Sequence, residues 1–403
     1  MQKDIQQPEQ KQLLDIVAAN MRGEKYTLPI ADYPKLLAES KAQAVFLQVF
    51  DTVLPANAPE DPGRSSDLVR RYGANWQVHN QHAQLHQLME KHGIDYCVMK
   101  GSASAYYYPN PMLRAMGDVD FLVAPEIIPR ATQILKDEGF TPWEENHACH
   151  IMFRKSGSHL EMHFKPAGMP EGKAGELMEQ YLSNIFQETE TVKIEGMIFR
   201  KPSDFHHGLI LLMHTYHHLL SEGIGVRHLA DWSAFVSAQD EERFAALFEE
   251  KLKAIGLWQF AKILSATAHV YLGAPYAKWM GQIDRALCKD LMEDILQGGN
   301  FGAKDDSRTY QGLAISDRGK DGLKKNSIVQ VLASLSALAK NRYPFFRKVP
   351  FLLPIGWVMI CLRRLVKILK KERSGLNLAG FGEKVNSRKR LYNQFKLFES
   401  EEL

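Results

Sequence analysis

The feature that most constrains this chain is a pair of aspartates inside a short strand-like stretch. Asp118 and Asp120 stand one residue apart in GDVDFLV, where the neighbouring residues are apolar or small. Alternate side chains of a strand point to the same face, so both carboxylates would share one face of a sheet. Two like charges this close repel each other unless a cation compensates them. The pair therefore predicts a divalent metal site.

A third carboxylate appears in a later strand-like stretch, SHLEMHF. Glu161 alternates there with Leu160 and Met162, as expected for a strand with one apolar face. Three carboxylates around a small site suit Mg²⁺, or Mn²⁺ in its place, because these ions take oxygen ligands and leave positions for substrate phosphates. The predicted chemistry is phosphoryl or nucleotidyl transfer, with Asp118, Asp120 and Glu161 as catalytic metal ligands.

The segment before the aspartate pair predicts a phosphate site. A strand-like run from Ile94 to Met99 leads into Lys100, Gly101 and Ser102, and a short helix follows. A strand that turns into a helix start exposes backbone N–H groups, which favour anions such as a triphosphate. Lys100 and, further on, Arg114 would add positive charge.

The periodicity of the chain predicts an α+β fold. Helical spacing covers residues 1–90, and short strand-like runs follow at 94–99, 118–123, 150–154 and 159–164, with a helix at about 126–138. Helical spacing returns after Pro202. We predict an N-terminal helical region (1–90), a catalytic domain with a small mixed sheet (91–200), a helical domain (201–297) and a C-terminal helical region with a basic tail (298–403).

Composition narrows the class of protein. The chain has 403 residues, is 45% hydrophobic and 24% charged, and carries a net charge of +3, so nucleic acid is not indicated as a partner. No apolar run reaches the roughly 20 residues needed to span a bilayer. The four cysteines lack metal-binding spacing and predict reduced thiols in a cytoplasmic protein.

These motifs resemble the DNA polymerase beta-like nucleotidyltransferase superfamily. More narrowly, MKGSASAYYYPNPMLRAMGDVDFLV and LEMHF are similar to an uncharacterised bacterial nucleotidyltransferase family, which carries Lys-Gly, an Arg before Gly-Asp-x-Asp, and a carboxylate-x-His pair. GIGVRHLADWSAFV and YPFFRKVPFLLPIGWV are also similar to that family. The resemblance implies a polymerase-beta-like core, a nucleoside triphosphate donor and an acceptor of unknown identity. It also implies roles at the nucleotide or acceptor pocket for Arg227 and Asp231.

Each of these residues has a simpler structural alternative. The aspartate pair after Gly117 could cap a turn, and Glu161 could be an exposed strand residue. Lys100 could end its strand in solvent, and Arg114 could be a loop charge. Arg227 and Asp231 are four residues apart and could form a helix-surface ion pair.

Two functional alternatives also remain open. A glycosyltransferase would use Asp-x-Asp to hold a nucleotide sugar, but would need a larger parallel sheet before the motif. A non-catalytic nucleotide-binding relative would not need all three carboxylates. Separately, His207, His214 and His218 share one face of a predicted helix and could bind zinc, although no acidic or cysteine ligand accompanies them.

The segment from Lys340 to Arg373 is strongly basic and contains an apolar run around Trp357. A packed helix with solvated lysines explains it most simply. Peripheral contact with a membrane surface, or binding of an anionic acceptor, is the alternative.

Overall fold

A computed structural model gives the fold of the chain. It describes residues 5–54, 57, 62–144, 149–170, 172–316, 335–336, 339–340, 343, 345–369 and 380–399. Within these residues, no helix combines the length and the apolar character that crossing a bilayer requires.

Helices form most of the described structure. Their bounds are α1 (Pro8–Met21), α2 (Tyr33–Ala42), α3 (Phe46–Thr52), α4 (Pro62–Lys91), α5 (Ser102–Ala105), α6 (Ile128–Asp137), α7 (Lys173–Leu182), α8 (Asp204–Leu220), α9 (Val226–Ser237), α10 (Glu241–Ala254), α11 (Trp258–Leu272), α12 (Arg285–Gly298), α13 (Arg308–Ser316), α14 (Phe345–Lys348), α15 (Leu353–Leu369) and α16 (Phe381–Asn393). Local chemistry sets several ends. Asp240, for example, caps α10 by accepting from the backbone N–H groups of Glu242 and Arg243.

The strands form two sheets. Their bounds are β1 (Tyr96–Val98), β2 (Val119–Val123), β3 (Thr141–Glu144), β4 (His150–Lys155), β5 (Ser158–His163), β6 (Glu190–Ile194) and β7 (Met197–Lys201). The larger sheet has the order β1-β2-β5-β4-β3, and β6 pairs with β7 in a separate ribbon. Strands β2 and β5 run parallel, whereas the other paired strands of both sheets run antiparallel.

Alternate residues of β2 separate the two faces of the larger sheet. Val119, Phe121 and Val123 pack in a core with side chains of α4 and α6. Leu122, on the opposite face, belongs to a second core built largely from helices α1 to α3 and α8 to α12. Asp120 lies on the same face as Leu122, so the face that carries it is turned toward the helices.

The predicted fold class is confirmed: the structure is α+β, with a small mixed sheet between helical regions. The predicted strands are present with shifted ends, and Asp118 lies just before β2 rather than in it. Strands β3, β6 and β7 were not predicted. The sequence from 317 to 334 and the end of the basic segment, 370–373, lie outside the described residues. The domain boundaries stay a prediction, although the helical core does join α1 to α3 with α8 to α12.

Candidate functional site

The register of the sheet brings the predicted carboxylates together. Asp120 on β2 lies directly beside Glu161 on β5 in the parallel pair. Across the hairpin, His150 on β4 faces His163 on β5. Because Glu161 and His163 are two residues apart on one strand, all four side chains emerge from the same face of the sheet.

Asp120 is buried and paired with two basic side chains. Lys100 Nζ lies 2.9 Å from Asp120 Oδ1, and His163 Nε2 lies 3.1 Å from the same oxygen. Burial by itself would raise the pKa of Asp120, but the charge of Lys100 and the contact with His163 outweigh it and hold that pKa well below its ordinary value. Asp120 is therefore ionised at neutral pH.

The other two carboxylates flank this pair. Asp118 is exposed and lies just before β2. Partial burial of its carboxyl group, together with the negative charges of Glu161 and Asp120, raises its pKa. Glu161 is partly buried, and its Oε2 lies 3.3 Å from His163 Nε2. Asp118 and Glu161 thus add negative charge around Asp120 and its one lysine, although ligand atoms of these three carboxylates do not form a convergent group among the described residues.

His163 lies between two of the carboxylates. It is buried, and burial alone would lower the pKa of its imidazole. Contacts with Asp120 and Glu161 outweigh that effect, so the net pKa is raised. Its Nδ1 is buried and has no hydrogen-bond partner among the described residues.

The predicted phosphate turn adopts a conformation that requires glycine. Gly101 has φ +59°, and a Cβ atom there would lie 2.9 Å from His82 Cε1. The hydroxyl of Ser102 is buried and lies 2.8 Å from the Nδ1 atoms of both His79 and His82. The side chain of Ser102 is therefore bound by α4 and turned away from solvent.

Burial keeps both of these histidines neutral. It lowers the pKa of His79 to about 4, with a smaller contribution from the charge of Arg114. It lowers the pKa of His82 to about 3, with a smaller contribution from His79. The Ser102 hydroxyl can donate to the Nδ1 of one neutral imidazole and accept from the Nδ1–H of the other, so the two histidines fix the start of α5.

The spacer between Ser102 and Asp118 packs against α9. Arg114 forms a bidentate ion pair with Asp231, with Nε to Oδ1 at 2.7 Å and Nη2 to Oδ2 at 2.8 Å. Tyr108 Oη donates to Asp231 Oδ1 at 2.7 Å. All three side chains are buried. Two residues predicted to bind nucleotide are thus paired with each other, and Asp231 does not form the surface ion pair with Arg227 that was the alternative.

Arg227 carries an uncompensated charge next to this pair. Its Nη1 donates to the Ala115 carbonyl at 3.4 Å, and its guanidinium lies 5.5 Å from the centre of the Phe301 ring. Among the described residues, its buried Nε has no hydrogen-bond partner. Burial, followed by the charge of Arg114, lowers the pKa of Arg227. A bound anion would accept a hydrogen bond from this Nε and would compensate the buried positive charge of Arg227.

Histidines of α8 and α9 lie on the helical side of the region between the β2–β5 face and α9, which is called the cleft below. His214, His218 and His228 stack within a cluster, with the rings of His214 and His228 5.4 Å apart. Burial lowers the pKa of His214, and the charge of Lys100 lowers it further. The cluster is therefore within range of the Lys100 charge. His207 lies apart from it, stacked on Tyr107 at 5.1 Å.

A metal cluster on α8 is not found among the described residues. Within those residues, one group of three side chains brings its ligand atoms close enough to hold a metal ion. It consists of His150, Glu161 and His163, and it lies on the sheet face.

Four residues at or near the site were given no role by sequence reasoning, although one of them, His163, belongs to the carboxylate-x-His pair of LEMHF. His163 was available from its position two residues after Glu161, on the same strand face. His150 was available from the hairpin, because a two-residue turn at Ser156 and Gly157 pairs Lys155 with Ser158 and so sets His150 opposite His163. Tyr108 and His79 gave no signal, because their partners come from distant segments.

Comparison with known proteins gives one family. Residues 50–273 match a family described as uncharacterised nucleotidyltransferase. No curated protein matches the sequence. The crystal structure of an antigenic nucleotidyltransferase-like protein from Paracoccidioides brasiliensis is similar at 15% identity. It covers 50% of this chain and 94% of its own, with a TM-score of 0.31. A likeness at that score supports no further statement.

Proposed function

This chain belongs to the uncharacterised nucleotidyltransferase family, and on that premise we propose a specific reaction. The protein transfers a nucleoside monophosphate from a nucleoside triphosphate to a hydroxyl-bearing acceptor, releases pyrophosphate and depends on Mg²⁺ or Mn²⁺. The observation that carries this proposal is the arrangement of charge that the protein's own ion pairs leave uncompensated. Carboxylates outnumber cations on the sheet face, and around Asp231 the two arginines, Arg114 of the spacer and Arg227 of α9, outnumber the one carboxylate. A metal–triphosphate complex has the complementary pattern.

The donor set fits a divalent cation. Asp118, Asp120 and Glu161 offer hard oxygen ligands from one face of the sheet, and these three residues would hold the ion. When bound, the ion would neutralise negative charge on the phosphates. Glu161 would also accept the proton of the attacking hydroxyl, since its carboxylate is only partly buried and so stays open to an acceptor.

The cationic residues would bind the phosphates. Lys100 already lies at the sheet face, and Arg227 faces the cleft with an uncompensated charge. Gly101 allows close approach of the backbone, and Ser102 would contribute through its backbone N–H because its hydroxyl is engaged. Direct contact of Arg114 or Asp231 with nucleotide stays a prediction. In their present positions they hold the spacer against α9 and so place Arg227 near Asp120.

Calorimetric titration with ATP, CTP, GTP and UTP tests the proposal. Binding should require Mg²⁺ or Mn²⁺, and Arg227→Ala should weaken it at least tenfold without changing the fold. Arg243→Ala is the matched control, because Arg243 is an exposed arginine that pairs with Asp204 away from the sheet face. Equal nucleotide affinity in excess EDTA would contradict the metal-dependent reaction.

The alternatives fit the structure less well. A glycosyltransferase needs a larger parallel sheet, whereas the described residues contain one parallel pair, β2 with β5. A non-catalytic relative has no need for three carboxylates on one face. The free thiols of Cys97 and Cys288 support the proposal that the protein works in the cytoplasm, where thiols stay reduced.

A second candidate function concerns helix α15, for which we propose contact with an anionic membrane surface. One side of the helix packs inward, where Gly356 lies against Ala339 and Phe346. The opposite side exposes an apolar stripe, formed by Ile355 (54% exposed), Val358 (57%) and Leu362 (55%) and continued by Phe351 (80%) in the turn just before the helix. Such a stripe is typical of a helix that lies in a membrane interface.

The charge of the surrounding sequence supports an anionic partner. Residues 322–371 include many lysines and arginines but no aspartate or glutamate. Vesicles of phosphatidylserine and phosphatidylcholine should co-sediment with the protein, and Ile355→Ser with Val358→Ser should abolish this. Equal binding to neutral vesicles would contradict the electrostatic part of the proposal. A concentration-dependent dimer that the double variant abolishes, with no vesicle binding, would assign the stripe to a second copy of the chain.

A further inference from the structure

The sheet face carries imidazoles as well as carboxylates, and this changes which ion it can hold. His150 and His163 face each other across the hairpin, with ring centres 4.8 Å apart. Glu161 lies beside them on β5. Ligand atoms of His150, Glu161 and His163 all lie within 4.8 Å of one another. Nothing in the proposed reaction uses either histidine.

The spacing of these atoms suits shared coordination. Two ligands that bind one ion at 2.0–2.2 Å stand about 3 to 3.5 Å apart. His163 Nε2 and Glu161 Oε2 are 3.3 Å apart, which falls in that range. His150 would complete the set with a small side-chain rotation, because it is only partly buried at the edge of the site.

The donor chemistry selects the class of ion. Mg²⁺ is a hard cation that takes oxygen ligands and rarely imidazole, whereas Zn²⁺ and Mn²⁺ accept nitrogen and oxygen together. We propose that His150, Glu161 and His163 form a position for a divalent transition ion, Zn²⁺ or Mn²⁺, next to the Asp118 and Asp120 carboxylates. The inference deepens the proposed function and rests on it through Glu161, the ligand that both positions share.

The consequence is that the ligand chemistry changes along the sheet face. At the Asp118 end the ligands are all oxygen, and at the His150 end they are mixed. The two ends should therefore respond differently to the same pair of ions, with Mg²⁺ competing poorly at the mixed end. Zn²⁺ should bind there more tightly than Mn²⁺, following the general order of affinities for nitrogen and oxygen ligands.

Competition with a fluorescent chelator tests this on the full-length protein, without nucleotide. ZnCl₂ and MnCl₂ are titrated separately in a large excess of MgCl₂. Wild-type protein should bind one equivalent of Zn²⁺, and His150→Ala should weaken that binding at least tenfold. His92→Ala, at the far end of α4, is the control and should match wild type. Circular dichroism and thermal melting check that each variant is folded.

Cobalt provides a second readout that does not depend on affinity. Co²⁺ bound through two imidazoles and a carboxylate gives a visible absorption spectrum that reports its ligands. His150→Ala should change that spectrum, whereas Asp118→Asn should leave it nearly unchanged while it abolishes Mg²⁺-dependent nucleotide binding. These opposite responses separate the two positions.

Each failure has its own meaning. No Zn²⁺ binding in excess Mg²⁺, or wild-type affinity in His150→Ala, would overturn the mixed-ligand position and leave His163 as a cation that bridges two carboxylates. Zn²⁺ binding that depends on His150, without any Mg²⁺-dependent nucleotide binding, would sustain this inference and overturn the proposed function instead.

Discussion

Asp120 and Asp231 are both buried aspartates that pair with a basic side chain, but their surroundings carry opposite charge. Around Asp120, Asp118 and Glu161 add two carboxylates to one lysine. Around Asp231, Arg114 and Arg227 add two arginines to one carboxylate. Both of the short contacts to Asp120 reach one oxygen, Oδ1, whereas both oxygens of Asp231 bind Arg114.

Under the proposed function, the difference separates a binding arrangement from a structural one. The Asp231 cluster is enclosed and its partners are matched in a bidentate geometry, so it holds the spacer against α9. The Asp120 cluster lies at a cleft and has more negative charge than its own residues compensate. A buried ion pair by itself is therefore weak evidence of function. The net charge that remains uncompensated around the pair is more informative.

The largest effect that we expect comes from breaking the enclosed pair. Arg114→Ala leaves Asp231 ionised and buried, which should lower the free energy of unfolding by about 3 to 5 kcal/mol. Urea unfolding measures this loss in the free energy of unfolding. Tyr108→Phe keeps the ion pair and removes one hydrogen bond, so it should cost only about 1 kcal/mol. A loss below about 1 kcal/mol in Arg114→Ala would place Asp231 in the same class as the open carboxylates.

The next effect is a pH dependence on the helical side. Burial, followed by the charge of Lys201, lowers the pKa of His207 to about 3. The unfolded chain takes up a proton there below about pH 6.5, while the folded protein does not. Stability from His207 is therefore complete above pH 6.5 and is lost as the pH falls toward 3, by roughly 3 kcal/mol at about pH 4.

His207→Phe tests this dependence. Among the described residues, neither ring nitrogen of His207 has a hydrogen-bond partner, and the ring stacks on Tyr107, so phenylalanine should be tolerated at neutral pH. The variant should lose less stability than wild type on acidification to pH 4. His92→Phe serves as control. Parallel curves for wild type and His207→Phe would show that His207 is protonated in the folded protein.

The smallest effects distinguish the two aspartates of the sheet face. In EDTA, Asp120→Asn should lower the free energy of unfolding by about 1 to 3 kcal/mol, because Lys100 and His163 lose a buried charged partner. Asp118→Asn should leave stability within about 0.5 kcal/mol of wild type or raise it, because it removes repulsion from Glu161 and Asp120. Thermal melts monitored by circular dichroism compare them. Equal losses would mean that both carboxylates are structural.

Strand alternation was enough to predict part of the site. It placed Asp118 and Asp120 on one face, because alternation is a local property of the backbone; the structure sets Glu161 beside Asp120 through the register of β2 with β5, whereas Asp118 lies just before β2. It also predicted repulsion between Asp118 and Asp120, but the structure concentrates that repulsion on Asp118, since Lys100 compensates Asp120. A sequence pattern does not reveal which carboxylate a lysine from the turn after another strand will reach.

Other contacts could not be predicted from the local sequence, because the partner residues are distant in the chain. Ser102 reads as a phosphate ligand when only its turn is considered, yet His79 and His82 from the preceding long helix bind its hydroxyl. Arg114 reads as a loop charge, and its partner Asp231 lies in a different helical region. Ribbon β6–β7 was missed because its short strands alternate weakly and are partly exposed.

The bond between Arg114 and Asp231 also sets an order of events during synthesis. The two residues are 117 positions apart, whereas Asp120 and His163 are 43 positions apart. A chain that leaves the ribosome from its N-terminus can therefore pair β2 with β5 long before α9 exists. Until α9 emerges, the charged face of the nascent sheet stays open to solvent and the Arg114 guanidinium remains hydrated. The two sides of the cleft meet late, so a chain truncated before Asp231 would present an acidic sheet without its basic counterpart.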